Sequence, residues 1–146
     1  MSEVLGQHRV VALDTCVWIY HLEGNPDYRG LTSEILHAVS AGKCKAVVSE
    51  LTLMELLVRP LRLEREDVVD EYEALLTHFP NVSLVAIRRE ILLKAAALRA
   101  RYGLRTPDAV IVATGILQGA TRIITHDRHW KRVEGIDVVC LGDLCE

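Results

Sequence analysis

The chain has 146 residues, half of them hydrophobic and a quarter charged, with a net charge of −3. That composition suits a folded domain with a substantial core and excludes a disordered segment. No apolar run approaches the roughly 18–20 residues that cross a bilayer, and a net negative chain is poorly suited to coating nucleic acid along its whole surface. In chain order, the opening MSEVLGQHR lacks the basic-then-apolar build of a signal peptide, so a cytoplasmic protein is expected. RVVAL (9–13) reads as a buried strand, followed at once by Asp14 inside the apolar run VVALDTCVWIY. An ionised carboxylate in such a run costs several kcal/mol unless it is paired. Asp14 therefore either caps the next element or is held there for a task.

Residues 31–41 read as a helix closed by Gly42, and KAVVS (45–49) as a second strand. Ser49 opens a helix over SELTLMELLVRP, and Glu64 to Thr77 forms another, stopped by Pro80. VSLVAI (82–87) is the third strand. Ile91, Ala95, Leu98 and Tyr102 recur at helix spacing, with charges opposite, up to Gly103. In RTPDAVIVATGILQGA, Thr106 is the expected N-cap and Pro107 the first helical residue, which puts Asp108 in the first turn. No charge occurs from Ala109 to Thr121, so this helix is expected to be buried on most sides. RIIT (122–125) and DVVCL (137–141) complete the strands. Strands alternating with helices need crossover connections, hence a three-layer α/β/α fold with a mostly parallel five-stranded sheet. No repeat or linker divides the chain, so residues 1–146 are expected to form one domain.

In such a sheet, sites form outside the carboxyl ends of the strands. Asp14 follows the first strand and Asp127 follows RIIT through His126, so both belong at that edge. Glu55 shares a helical stripe with Leu51, Met54 and Val58. It is either a boundary residue reaching water or an acid aimed at the site. Asp108 shares a face with Ile111, Val112 and Gly115; alone, it could simply favour the helix dipole. Converging carboxylates repel one another, and burial sharpens the repulsion, unless a cation sits among them. An all-oxygen set suits Mg²⁺ or Mn²⁺ better than zinc, and the matching chemistry is phosphoryl transfer or phosphodiester hydrolysis. Cys16, Cys44, Cys140 and Cys145 make no CxxC pair and no zinc spacing, and read as reduced packing thiols. Basic residues gather at Arg88, Arg89, Lys94, Arg99, Arg101 and Arg105, and again at Arg122, Arg128, Lys131 and Arg132. These form either solvated faces or a local basic rim.

VVALDTCVWIY, SELTLMELLVRP, RTPDAVIVATG and IITHDRHW, in this order, resemble the four signature segments of the PIN domain. Within that family they are most similar to the VapC-type toxins of toxin–antitoxin pairs. The resemblance puts the family's metal-binding acids on Asp14, Glu55, Asp108 and Asp127, and its hydroxyl residues on Thr15 and Thr125. His126 stands where the family often has asparagine; it could support the site, contact a phosphate or merely tolerate the position. The resemblance implies an endoribonuclease that uses a metal-activated water and leaves a 5′-phosphate and a 3′-hydroxyl. It also implies a homodimer, inhibited by an antitoxin whose tail fills the acidic groove. The antitoxin would lie on the apolar LTLMELLVRPLRL region and the following helix, unless those leucines pack the core. A catalytically silent PIN-like scaffold for RNA or protein is the alternative, disfavoured because all four acids are present. An aspartyl phosphatase would want a second acid where Cys16 stands. A receiver domain lacks its acidic pair and lysine, and a dinucleotide-binding protein lacks GxGxxG.

Overall fold

A computed structural model of the chain describes residues 2–144, with side chains from residue 4 onward. Its strands are β1 (Val10–Leu13), β2 (Lys45–Ser49), β3 (Val82–Val85), β4 (Arg122–Thr125) and β5 (Asp137–Cys140). They pair in the order β3-β2-β1-β4-β5, and every pairing is parallel. The chain runs outward from β1 through β2 to β3, then crosses back to β4 on the other side. β1 is thus the point at which the strand order reverses, where open parallel sheets place their crevice.

The helices are α1 (Ser2–Leu5), α2 (Thr15–Leu22), α3 (Arg29–Ser40), α4 (Glu50–Arg62), α5 (Glu66–His78), α6 (Arg89–Tyr102) and α7 (Thr106–Leu117). Side chains alternate across a strand, and here the alternation sorts them into two cores. Val11 and Leu13 join Ala46, Val48, Trp18, Ile35 and Leu76 on one face. Ala12 and Val47 join Ile91, Leu98, Val112 and Ile123 on the other. The first core is roofed mainly by α2, α3, α4 and α5, and the second by α6 and α7. Both faces are therefore covered, and the sheet strands read as continuous apolar runs for that reason. No helix among the described residues is long and apolar enough to cross a membrane.

Several element boundaries depart from the sequence reading. The third strand stops at Val85 rather than Ile87, and Leu141 leaves β5 for a short 3₁₀ turn. Leu63 to Arg65 are not helical, because Glu64 takes φ +54, so the following helix begins at Glu66. Pro60 does not stop α4, which continues to Arg62 with the proline buried in its last turns. Arg105 rather than Thr106 is the N-cap of α7, making Thr106 the first helical residue and Pro107 the second. Cys44 and Cys140 are buried and Cys16 is half-buried, all as free thiols; Cys145 lies outside the described residues.

One contact fixes the seat of α7. A Cβ placed at Gly115 would lie 2.8 Å from the Cβ of Ala12 on β1, and an alanine Cβ has no rotamer by which to yield. The helix therefore rests on the central strand through a bare backbone. Gly115→Ala must push α7 off β1, and a loss of about 1–3 kcal/mol in stability is expected from such overpacking. Urea denaturation of the variant checks this; an unchanged midpoint would mean that the helix shifts without cost.

Candidate active site at the carboxyl edge of the sheet

The carboxyl ends of β1 and β4 are tied by a backbone bond from the Asp14 N–H to the Ile124 carbonyl, 3.0 Å long. Asp14 leaves the strand in extended conformation and caps α2. Its carboxylate accepts from the Thr15 N–H at 2.7 Å and from the Thr125 hydroxyl at 2.8 Å. The Thr125 oxygen accepts in turn from the Asp127 N–H at 3.1 Å. Asp127 then caps the 3₁₀ turn Arg128–Arg132, its carboxylate accepting from the His129 N–H at 2.9 Å. One buried hydroxyl thus sets the relation between two acids at neighbouring strand ends.

Glu55 is held from the other side. The Thr15 hydroxyl donates to its carboxylate at 2.7 Å. Having spent its single proton there, Thr15 must accept from the Thr52 hydroxyl, 2.8 Å away and fully buried. The inward face of α4 is Thr52, Leu56 and Pro60, whereas Met54 and Val58, on the stripe of Glu55, are exposed. Periodicity grouped Glu55 with Leu51, Met54 and Val58 but did not say which way their stripe faces. Glu55 is half-buried, with the Thr15 hydroxyl on its carboxylate.

Asp108 sits in the first turn of α7 and is buried. The exposed Arg105 side chain clamps it, with Nε donating to Oδ2 at 3.1 Å and Nη2 to Oδ1 at 3.4 Å. An open cleft of about 440 Å³ is lined by Asp14, Asp108, Asp127, His126, Arg105 and Arg128, among others. Thr15 and Thr125 do not line it themselves, and Glu55, bonded to Thr15, is close enough for its charge to act on Asp14. Burial, with the charges of Glu55 and Asp108 adding to it, pushes the Asp14 carboxyl up to about 6, against the pull of the bonds from Thr125 and Thr15. Asp14 is therefore a carboxylate short of positive charge.

That shortage bears on a cation. Among the described residues, no three His, Cys, Asp or Glu side chains close around a single point, because Asp108 is turned onto Arg105 and Glu55 onto Thr15. The donor chemistry still fits a hard divalent ion: Asp14, Asp108 and Asp127 offer only oxygens and share one solvent-open cleft. Sequence reasoning missed Arg105 as the partner of Asp108, although a basic residue three positions before an acid at a helix start is a visible pattern. It also missed Thr52, Tyr20 and Tyr28. The hydroxyls of both tyrosines meet the His126 imidazole, an encounter between distant segments that no local spacing reveals.

The sequence model of the PIN domain matches residues 11–136. The chain belongs to the PIN domain family. Solved structures share its fold. A chain of VapBC2 from Rickettsia felis, determined bound to a DNA fragment from their promoter, superposes with a TM-score of 0.71 at 14% identity, covering 90% of this PIN domain chain and 98% of that one. A chain of a toxin–antitoxin complex from Klebsiella pneumoniae gives 0.67 at 23% identity, covering 90% and 97%. A chain of VapBC-1 from nontypeable Haemophilus influenzae gives 0.65 at 21% identity, covering 91% and 98%. No curated protein sequence matches this PIN domain significantly.

Proposed function

We propose that this PIN domain, residues 1–146 as one unit, is a Mg²⁺- or Mn²⁺-dependent endoribonuclease and the toxin of a toxin–antitoxin pair. The observation that carries the reading is one solvent-open cleft lined by three carboxylates, Asp14, Asp108 and Asp127, with burial and acidic neighbours pushing the Asp14 carboxyl up. Asp14, Asp108 and Asp127 would hold the ion, with Glu55 joining through its Thr15 contact. Such an ion supplies a water that is nucleophilic at neutral pH and stabilises charge on the attacking and leaving oxygens of a phosphodiester. The protein's own part is placement. Thr125 and Thr15 fix the Asp14 rotamer, and Asp127 is fixed by the turn that it caps. Arg105 and Arg128 give the cleft a cationic rim for the RNA phosphates.

The partner assignments rest on the fold shared with chains of toxin–antitoxin complexes. An antitoxin has apolar surface to cover on and just beyond α4, where Met54, Val58, Leu61 and Leu63 are exposed. A homodimer and a cytoplasmic location belong to the same reading.

Arg105 is the cation that Asp108 has at hand before any ion arrives. Arg105→Ala removes that competitor, so Mn²⁺ should bind about two- to fivefold more tightly by calorimetry, while RNA binding weakens. Unchanged Mn²⁺ affinity would mean that the guanidinium does not compete. The function itself is tested by incubating the purified protein with a mixed RNA pool that includes tRNA, in Mg²⁺ or Mn²⁺, against EDTA and against Asp108→Asn. Metal-dependent cuts that vanish in the variant are expected. No cutting together with no Mn²⁺ binding would favour a silent scaffold.

A further inference from the structure

One residue lining the cleft, His126, has an aromatic setting that hydrolysis does not use. Tyr20 on α2 and Tyr28 just before α3 lie stacked, with ring centroids 5.1 Å apart and planes 18° from parallel. The His126 ring stands edge-on to both, at 5.6 Å and 4.8 Å. The Tyr20 hydroxyl meets His126 Nδ1 at 2.5 Å and the Tyr28 hydroxyl meets Nε2 at 3.3 Å. Both ring nitrogens are engaged, so the imidazole is oriented by two rigid phenols. Yet His126 is exposed, and it lines the cleft beside Asp14 and Asp127. Two tyrosines serving only as packing have no need to bring their hydroxyls to an exposed ring at the lip of an acidic cleft.

Space is also kept at this ring. A Cβ on Gly142 would come to rest 3.5 Å from His126 Nε2 and 3.6 Å from Cδ2, at ordinary contact distance; glycine leaves that volume free. A flat, oriented, exposed ring lining an acidic cleft with a cationic rim matches one ligand chemistry: a nucleobase of an RNA whose phosphate enters the cleft. Duplex RNA buries its bases in the stack and cannot offer a face to a side chain, whereas single strands and loops can.

We propose that His126, held between Tyr20 and Tyr28, is a stacking position for an unpaired nucleobase next to the phosphate bound in the carboxylate cleft. This subsite rests on the ribonuclease reading and names the residue that receives a base.

The test uses the Asp108→Asn chain with Mg²⁺, which binds without cutting, and single-stranded 12-nucleotide RNAs carrying 2-aminopurine at successive positions. Stacking quenches that fluorophore. One position is expected to be quenched on binding, and the same RNAs annealed to a complement are expected to bind far more weakly. Adding His126→Ala should abolish the quench and weaken binding by roughly 5- to 150-fold, the range of base–aromatic stacking. His126→Phe keeps a flat ring and should retain most of both, while Tyr20→Phe with Tyr28→Phe, which frees the imidazole without removing the two rings, should lie between. Melting curves confirm that each variant is folded. Equal binding and equal quenching in His126→Ala would overturn the subsite and leave the nuclease reading intact. So would a His126→Phe that fails like alanine while His126→Asn restores binding, since His126 would then act by hydrogen bonding. Failure to bind any RNA, single- or double-stranded, overturns the nuclease reading and the subsite with it.

Discussion

Asp108→Asn and Asp14→Asn are each expected to lower metal-dependent RNA cleavage by roughly a thousandfold or more, with the fold kept. The magnitude follows from the charge stabilisation lost with the ion, which is several kcal/mol, at tenfold in rate for each 1.36 kcal/mol. The effect on stability is small, because opposing effects meet. Asp108→Asn gives up a charge at the start of α7, worth about 0.3–1 kcal/mol there, and an ion pair with an exposed arginine, worth little. It also removes a like charge facing Asp14. Asp14→Asn keeps an oxygen for Thr125 or for the Thr15 N–H and removes the buried charge altogether. Cleavage assays read beside thermal melts separate the two effects. Wild-type activity in either variant would remove that acid from the site.

The second large effect is on the stability of the metal-free protein as pH changes. The Asp14 carboxyl, normally near 3.8, is pushed up to about 6 in the folded chain by burial and by its acidic neighbours. The folded state thus holds this proton more tightly than the unfolded state does. Stability from Asp14 is fully present below about 3.8 and is lost as pH rises through about 6, by an amount on the order of 2–3 kcal/mol. His21 works against this. Burial first, then Arg29, hold its imidazole below the usual range, so its contribution is lost as pH falls. Asp14→Asn carries the same His21, and the difference between the two chains isolates the aspartate. Urea denaturation in EDTA from pH 4 to pH 7 should show the wild type losing ground to Asp14→Asn across that window. Adding Mn²⁺ at pH 7 should return it, because binding to the folded state alone stabilises that state. Parallel curves for the two chains would show that Asp14 carries no buried charge.

The sequence made the strands legible because both faces of the sheet are covered, which leaves β1, β2 and β4 as unbroken apolar runs. Asp14, Asp108 and Asp127 were legible as acids out of place, and the cleft does gather all three. Glu55 shows where that logic stops. A helical repeat says which residues share a face but not which face turns inward, and here the inward face was the one with Thr52. The meeting of Tyr20, Tyr28 and His126 left no local trace, because residues about a hundred positions apart come together there only in the folded chain. The boundary at Arg105 was missed because threonine is the better cap by preference, yet Arg105 takes the extended conformation and Thr106 the helical one.

The parallel order of the sheet also bears on how the protein is made. Residue 14 emerges early in synthesis, but the strand that anchors it, with the hydroxyl of Thr125 and the carbonyl of Ile124, emerges more than a hundred residues later. A growing polypeptide short of β4 holds Asp14 and Glu55 without the partner that shapes the cleft, and Asp127 does not yet exist. The cleft can therefore assemble only once β4 and the turn capped by Asp127 have been made.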